Sequence, residues 1–185
     1  MNEDCSMGDV IYEDSRQQIK PYDKHEKKHI WWKSHGVTIT RKKLDFGDYM
    51  RADGMSNISV DSKANLQEIC GNLGKDHARV VREVERANAA GHRLVFLVET
   101  GYNYKCVSDV ERWTNDVCKR CQHYHAKTCV PPRDRCQRFK RRPMTGKTLS
   151  KIMRGMERDH RCVFEFAHPM IAAKVICDIL GVPYG

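Results

Sequence analysis

Gly47-Asp48-Tyr49 and, further on, Ile58-Ser-Val-Asp61-Ser62-Lys63 are the stretches whose reading decides the fold. The second alternates apolar and polar side chains, the period of a strand with one covered face. Residues i and i+2 of a strand share a face, so Asp61 and Lys63 project together while Val60 and Ser62 point the other way. Asp53-Gly54, between the two stretches, is a hairpin turn signal. Asp48 can therefore stand beside Asp61 on a neighbouring strand.

Two carboxylates and an ammonium on one face carry chemistry. Magnesium takes oxygen ligands, keeps several waters, and needs only one or two protein carboxylates. Bound to a phosphodiester, it stabilises developing charge and lowers the pKa of an attacking water. A nearby lysine can orient that water and offset negative charge. A bare Asp-x-Lys equally describes an exposed ion pair on an edge strand, so the flanking elements have to carry the argument.

Asp9-Val-Ile-Tyr-Glu13 predicts a first strand, running into Asp14-Ser-Arg-Gln17. Pro21 to His35 predicts a helix with Ile30, Trp31 and Trp32 on its buried side, as core and rim aromatics rather than DNA wedges. Val37 and Ile39, alternating with Thr38 and Thr40, predict a second strand. Leu66, Ile69, Leu73, Val80, Val84 and Ala87 follow helical spacing, with an interruption expected at 71–76 where Gly71 and Gly74 lie. Leu94-Val-Phe-Leu-Val98 reads as a strand buried on both faces. Ser108 is placed to cap a short helix through Trp113. Thr145 starts a helix reaching about Asp159, Val163 to Phe166 is a last strand, and Pro169 opens a final helix through Leu180. That order predicts an α/β fold, a mixed sheet flanked by helices.

Of the 185 residues, 40% are hydrophobic and 31% charged, the balance of a globular domain. No run approaches eighteen apolar residues, which excludes a membrane-spanning helix. The acidic, polar start lacks a secretory signal pattern. Nine cysteines, an odd number, argue against a fully paired disulfide framework. Cys70 and Cys177 fall in apolar helical patterns and act as small hydrophobes. These features predict a reducing, cytoplasmic location and no membrane partner.

The net charge of +9 is concentrated. Val117 to Lys147 holds ten Lys or Arg and one acid, Asp134, while the rest of the chain has 23 of each sign. Such a block points to a polyanion, most often nucleic acid. Cys118-x-x-Cys121, Cys129 and Cys136 lie within it. Zinc takes four tetrahedral sulfur or nitrogen ligands, and a two-residue spacer delivers two thiolates from one turn. A short basic segment without a core needs such a staple. His123, His125 and Cys106 are substitute ligands. Arg133, Arg135, Arg138, Lys140, Arg141 and Arg142 crowd the last thiol and make the block a phosphate-gripping module. Tyr124 and Phe139 serve for packing around zinc or for base stacking. Gly146-Lys147-Thr148 is no P-loop, because the required upstream glycine is Arg141.

Asp14-Ser-Arg16, Gly47-Asp48-Tyr49, Asp61-Ser62-Lys63, the helix with Arg79 and Arg82, and Leu97-Val98-Glu99 follow one another in an order that resembles the nuclease domain of XPF-type structure-specific endonucleases, in the PD-(D/E)xK superfamily. The resemblance runs from about Val10 to Glu99 and resumes from Met144 to Leu180. It implies a restriction-endonuclease-like fold that cuts branched or flapped duplex DNA with magnesium or manganese. It gives Asp48 and Asp61 as metal ligands, with Asp61 in place of the usual glutamate, and Lys63 as the motif lysine. Asp14 and Arg16 match the flanking Asp-x-Arg. Gln17 stands where the family carries glutamate, and Gln67 where it carries a further acid, with Glu68 adjacent as a replacement. The tandem helix-hairpin-helix region common in the family is absent, and the basic cysteine block is expected to stand in for it.

The expected organisation is a flexible N-terminus over 1–8, a nuclease core over 9–114, a zinc-binding insertion over 115–143, and a helix-strand-helix over 144–185 completing the core. Asp48, Asp61, Lys63, Asp14 and Glu68 form the expected catalytic set. Arg16, Arg79, Arg82 and the basic block meet DNA. Two copies could pair as a homodimer, and a lone nuclease of this kind suits a phage or a mobile element. Two rivals remain: an inactive nuclease fold used as a zinc-containing DNA-binding module, and a protein-interaction subunit of another nucleic-acid enzyme.

Overall fold

Leu94 to Val98 form the middle of a strand because a continuous apolar run needs cover on both faces, and the sheet supplies it. The computed structural model describes residues 10–18, 24–126, 129, 136, 138–139 and 142–185. The expected flexible segment 1–8 lies outside the described residues, as do Arg133, Arg135, Lys140 and Arg141. The strands are β1 (Val10–Asp14), β2 (Thr38–Lys42), β3 (Tyr49–Arg51), β4 (Ile58–Lys63), β5 (Arg93–Glu99) and β6 (Val163–Ala167). Among the described residues they form one sheet in the order β2-β1-β3-β4-β5-β6. β3 runs antiparallel to β1 and β4, and the other neighbouring pairs are parallel. The sheet is mixed, and the chain is an α/β protein.

Helices cover both faces. α1 (Lys24–Ser34) and α7 (Ala172–Leu180) enclose one core with Ile11, Trp32, Tyr49, Val60, Leu97 and Ile176. α2 (Leu66–Gly74), α3 (His77–Ala89) and α6 (Gly146–His160) enclose the other with Leu73, Val84, Phe96, Met153 and Phe164. The α2–α3 break falls where the glycines predict it. Asn65 caps α2 by accepting from the Glu68 amide at 2.8 Å, and Glu68 accepts in return from the Ala64 amide at 2.7 Å. The segment before α6 carries two short helices, α4 (Asp116–Lys119) and α5 (Gln122–His125). No helix among the described residues is long and apolar enough to cross a membrane.

Two local expectations are corrected. Ile30 is 63% exposed, because α1 turns Trp32, with Trp31 at the rim, toward α7 and leaves Ile30 in solvent. Ser108 does not cap a helix. The 3-10 turn Val107–Arg112 starts one residue earlier, with Cys106 at its cap, and the Ser108 hydroxyl instead accepts from Arg154 at 3.1 Å.

α6 begins in close quarters. The Thr145 hydroxyl accepts from the Thr148 amide at 3.2 Å, and Gly146 follows against the carbonyls of Val110, Trp113 and Glu111. A Cβ at Gly146 would lie 2.3 to 2.8 Å from those three oxygens. Gly146→Ala is expected to destabilise by about 1–3 kcal/mol through overpacking. Thermal melting should read this as a fall of about 2–12 °C, and an unchanged melting temperature would contradict the packing.

Candidate active site between the central strands

The site is built where β3 meets β4. Gly47 has a φ of 66°, a left-handed conformation that glycine adopts without cost. It also lies close to β4, where an added Cβ would be 3.1 Å from the Val60 carbonyl and 3.2 Å from the Ser59 Cβ. This turn delivers Asp48. The Asp48 amide donates to the Val60 carbonyl at 2.7 Å, and its carboxylate accepts from the Ser62 amide at 2.9 Å. Asp48 thus lies against the residues that flank Asp61.

β4 then divides its side chains. On the face toward α2 and α3, Lys63 Nζ lies 2.6 Å from Asp61 Oδ1, and both residues are buried. Burial works against the Lys63 charge, but Asp61, Asp48 and Glu68 outweigh it and raise the pKa above the ordinary lysine value. Lys63 therefore keeps its proton at neutral pH. Asp14 joins from β1, whose amide donates to the Asp48 carbonyl at 2.8 Å. Burial would raise the Asp14 carboxyl, yet hydrogen bonds from the Arg16 side chain and amide, with the Arg16 charge, hold it below the usual range. Arg16 Nε reaches Asp14 Oδ2 at 2.7 Å, its Nη2 reaches the Leu44 carbonyl at 2.6 Å, and its side chain is 60% exposed.

The Gln17 amide donates to Asp48 Oδ1. Its place in the chain was legible; its contact with Asp48 was not. Gln67 faces elsewhere: its side chain accepts from the Asp116 amide at 2.9 Å, pinning the start of α4 to α2. Glu68 is exposed and spent partly on the cap, contributing to Lys63 through its charge. Sequence reasoning missed Glu83 of α3, which accepts from the Gly47 amide at 3.2 Å. Its helical neighbour Arg79 pairs with it at 3.5 Å, and Arg82 is exposed on the same helix.

Behind the site, the other face of β4 carries a buried polar layer that no sequence signal announced. Lys28 of α1 lies 2.5 Å from Glu99 at the end of β5, and both side chains are 2% exposed. The Ser62 hydroxyl donates to the same Glu99 oxygen at 2.7 Å and accepts from Lys28 at 3.0 Å. Glu13, also buried, meets His29 at 3.0 Å and Arg41 at 3.4 Å. Burial, then the charges of Asp48, Glu13 and Glu99, pushes the Tyr49 phenol well above its ordinary pKa, so it stays a neutral hydroxyl.

In the cysteine block, Cys118 is half-buried. Burial raises its thiol, and Cys129, Cys136 and Cys121 raise it further by charge, while Arg142 opposes them. The Cys129 amide donates to the His123 carbonyl at 3.0 Å, folding that thiol back onto α5. His125 Nε2 donates to the Lys119 carbonyl at 2.5 Å, and the Cys106 thiol donates to Asp109 at 3.5 Å. The Arg138 guanidinium lies 5.3 Å from the Phe139 ring centre, and Tyr124 meets the Thr114 hydroxyl at 3.3 Å. Among the described residues, no three His, Cys, Asp or Glu side chains are arranged to enclose one ion. The cysteines expected to hold zinc, Cys118, Cys121, Cys129 and Cys136, all lie among the described residues and form no such group; a two-carboxylate site does not require three.

No protein-family model matches the chain, and no curated protein matches it either.

Removing Lys28 would take away the cation that Glu99 meets at 2.5 Å in the interior. Lys28→Met is expected to cost about 3–5 kcal/mol, measured as a lowered urea midpoint. Lys28→Met combined with Glu99→Leu should regain at least half of that loss. A single variant as stable as the parent would remove the buried ion pair.

Proposed function

We propose that the protein is a metal-dependent DNA endonuclease with a restriction-endonuclease-like fold, acting on branched or flapped duplex DNA. The observation that carries this reading is the convergence of Asp48 and Asp61 on Lys63, at the carboxyl end of the central strand β4, with the Lys63 ammonium 2.6 Å from Asp61. Asp48 and Asp61 fit a hard divalent cation, which takes carboxylate oxygens and needs only one or two of them from the protein. Magnesium or manganese held there would polarise a phosphoryl oxygen and activate water. Lys63 Nζ orients that water and offsets charge developing on the phosphate. Asp14 fixes Arg16, whose exposed side meets the DNA backbone, with Arg79 and Arg82 extending the contact along α3. Glu68 assists through its field at Lys63.

The cysteine block fits structural zinc held by Cys118, Cys121, Cys129 and Cys136. A Cys-x-x-Cys pair followed by two further thiols supplies the four sulfur ligands that tetrahedral zinc takes, and bound zinc would keep them as thiolates. Arg138, Arg142 and their basic neighbours then grip phosphates beside the cutting site. The protein should carry about one zinc per chain by elemental analysis, lost in Cys118→Ser with the melting of the sheet core retained. Zinc content unchanged in that variant would remove the assignment.

A second reading is favoured by Gln17. Its neutral amide donates to Asp48 where the resemblance carries glutamate, which fits an inactive nuclease fold used to hold DNA. The discriminating experiment is cleavage of labelled single strand, duplex, flap, fork and four-way junction with magnesium, manganese or EDTA. Metal-dependent cutting, reduced at least about a thousandfold in Asp61→Ala and Lys63→Ala, is expected, with DNA binding kept. Salt-sensitive binding without cutting would favour the DNA-holding fold. Absence of both would favour a protein-interaction subunit.

A further inference from the structure

Three parallel strands end together. Lys63 of β4 pairs with Val98 of β5, which pairs with Phe166 of β6. The segments leaving β5 and β6 therefore emerge at the same edge as Lys63, and the Thr100 amide ties them by donating to the Ala167 carbonyl at 2.8 Å. On those two segments sit Tyr102 and His168, stacked face to face with ring centres 4.2 Å apart and planes 1° from parallel.

The pair is built to stay put. His168 Nδ1 accepts from the Met170 amide at 3.3 Å, which fixes the imidazole plane, and a turn closed by the Tyr104 amide on the Gly101 carbonyl at 3.2 Å carries Tyr102. Tyr102 is nevertheless 67% exposed, so the stack does not serve to bury it. Its other surroundings form an open groove of about 500 Å³ lined by Asn103, Tyr104, Lys105, Asp109 and Arg112. Asp109 is engaged by Arg112 at 2.7 Å and by the Lys105 amide at 2.9 Å, which leaves the exposed Lys105 ammonium to set the charge. Met170, 80% exposed, adds an apolar shoulder beside His168.

A flat aromatic face, an adjacent cation and a groove of nucleotide size match the requirements for an unpaired base and its phosphate. Duplex bases are already stacked on both sides and cannot use such a face. We infer that Tyr102, backed by His168, is a stacking platform for an unpaired nucleotide of a DNA strand, with Lys105 on its phosphate. Adjacent strands lie about 4.8 Å apart, so the platform is on the order of 10 Å across the sheet from Lys63. That is about three nucleotides at a duplex rise of about 3.4 Å. The inference deepens the nuclease reading and rests on it only for this distance to the cut.

The test is binding of a fluorescein-labelled ten-nucleotide single strand and of a blunt duplex, by anisotropy in EDTA, to the full chain and its variants. Tyr102→Ala should weaken single-strand binding by about fivefold or more, the low end of one base stack. It should leave duplex binding and the melting temperature unchanged, and Tyr102→Phe should restore the affinity. Quenching of a 2-aminopurine base in the strand should disappear with Tyr102→Ala. Equal affinity of Tyr102→Ala and the parent for single strand, equal weakening for strand and duplex, or no single-strand binding by the parent would each overturn the platform. Platform loss with metal-dependent cutting intact would leave the nuclease standing. Single-strand binding that depends on Tyr102, without cutting of any substrate, would do the reverse.

Discussion

Gly47 turns left-handed against the Val60 carbonyl, and the spacing of everything where β3 meets β4 follows from that contact. A side chain there would have to push into β4 and would be strained besides. With glycine in place, the Asp48 amide reaches Val60 and its carboxylate reaches the Ser62 amide. Asp48 is therefore fixed to the backbone of the strand that carries Asp61 and Lys63, rather than left on a loop. The same turn starts β3, which joins the β2-β1 pair to the β4-β5-β6 half through antiparallel pairing on both sides. One backbone conformation links the two halves of the sheet and sets the distance between the carboxylates.

The buried layer on the far face of β4 gives that junction its rigidity. Ser62 sits between Asp61 and Lys63 in sequence but points away from them, into Lys28 and Glu99. Its amide holds Asp48 on one side while its hydroxyl is held by an ion pair on the other. A charge pair so deeply buried adds little net stability against a well-packed apolar pair, yet breaking it is costly. The layer ties α1, β4 and β5 together through one ion pair and one hydroxyl. Tyr49, kept neutral by burial and three carboxylates, closes the layer toward His25 at 3.3 Å.

Much of this was legible in the chain. The alternation of residues 58–63 put Asp61 and Lys63 on one face, and the apolar run 94–98 gave the central strand, because period and continuity are local properties. The glycines at 71 and 74 marked the helix break for the same reason. Lys28 and Glu99 were illegible as a pair, because they lie 71 residues apart and nothing nearby in sequence announces either partner. Ile30 was misread because a single turn of helix offers several apolar residues, and only the position of α7 decides which is buried. Glu83 looked like one more charge on an exposed helix until the Gly47 turn came to rest against it. The cysteine spacing was plain, but the four thiols do not form a metal-holding group among the described residues.

Gln17 and Lys63 bear on how such a site would take a cation. Asp14 is neutralised by Arg16, and Lys63 offsets one of the two remaining carboxylates, so the inner group carries little net negative charge. A glutamate in place of Gln17 would add to it; the amide instead donates to Asp48 and occupies part of its acceptor capacity. On the nuclease reading, these two carboxylates alone make a weak cage, and the phosphate of the DNA becomes part of it, as is usual where magnesium retains waters and few protein ligands. Cation and DNA would then bind with positive coupling, each strengthening the other by the same factor. Lys63 fits that scheme, since the carboxylates that raise its pKa are the ones a cation would engage, and a cation there would leave its ammonium available to water and phosphate.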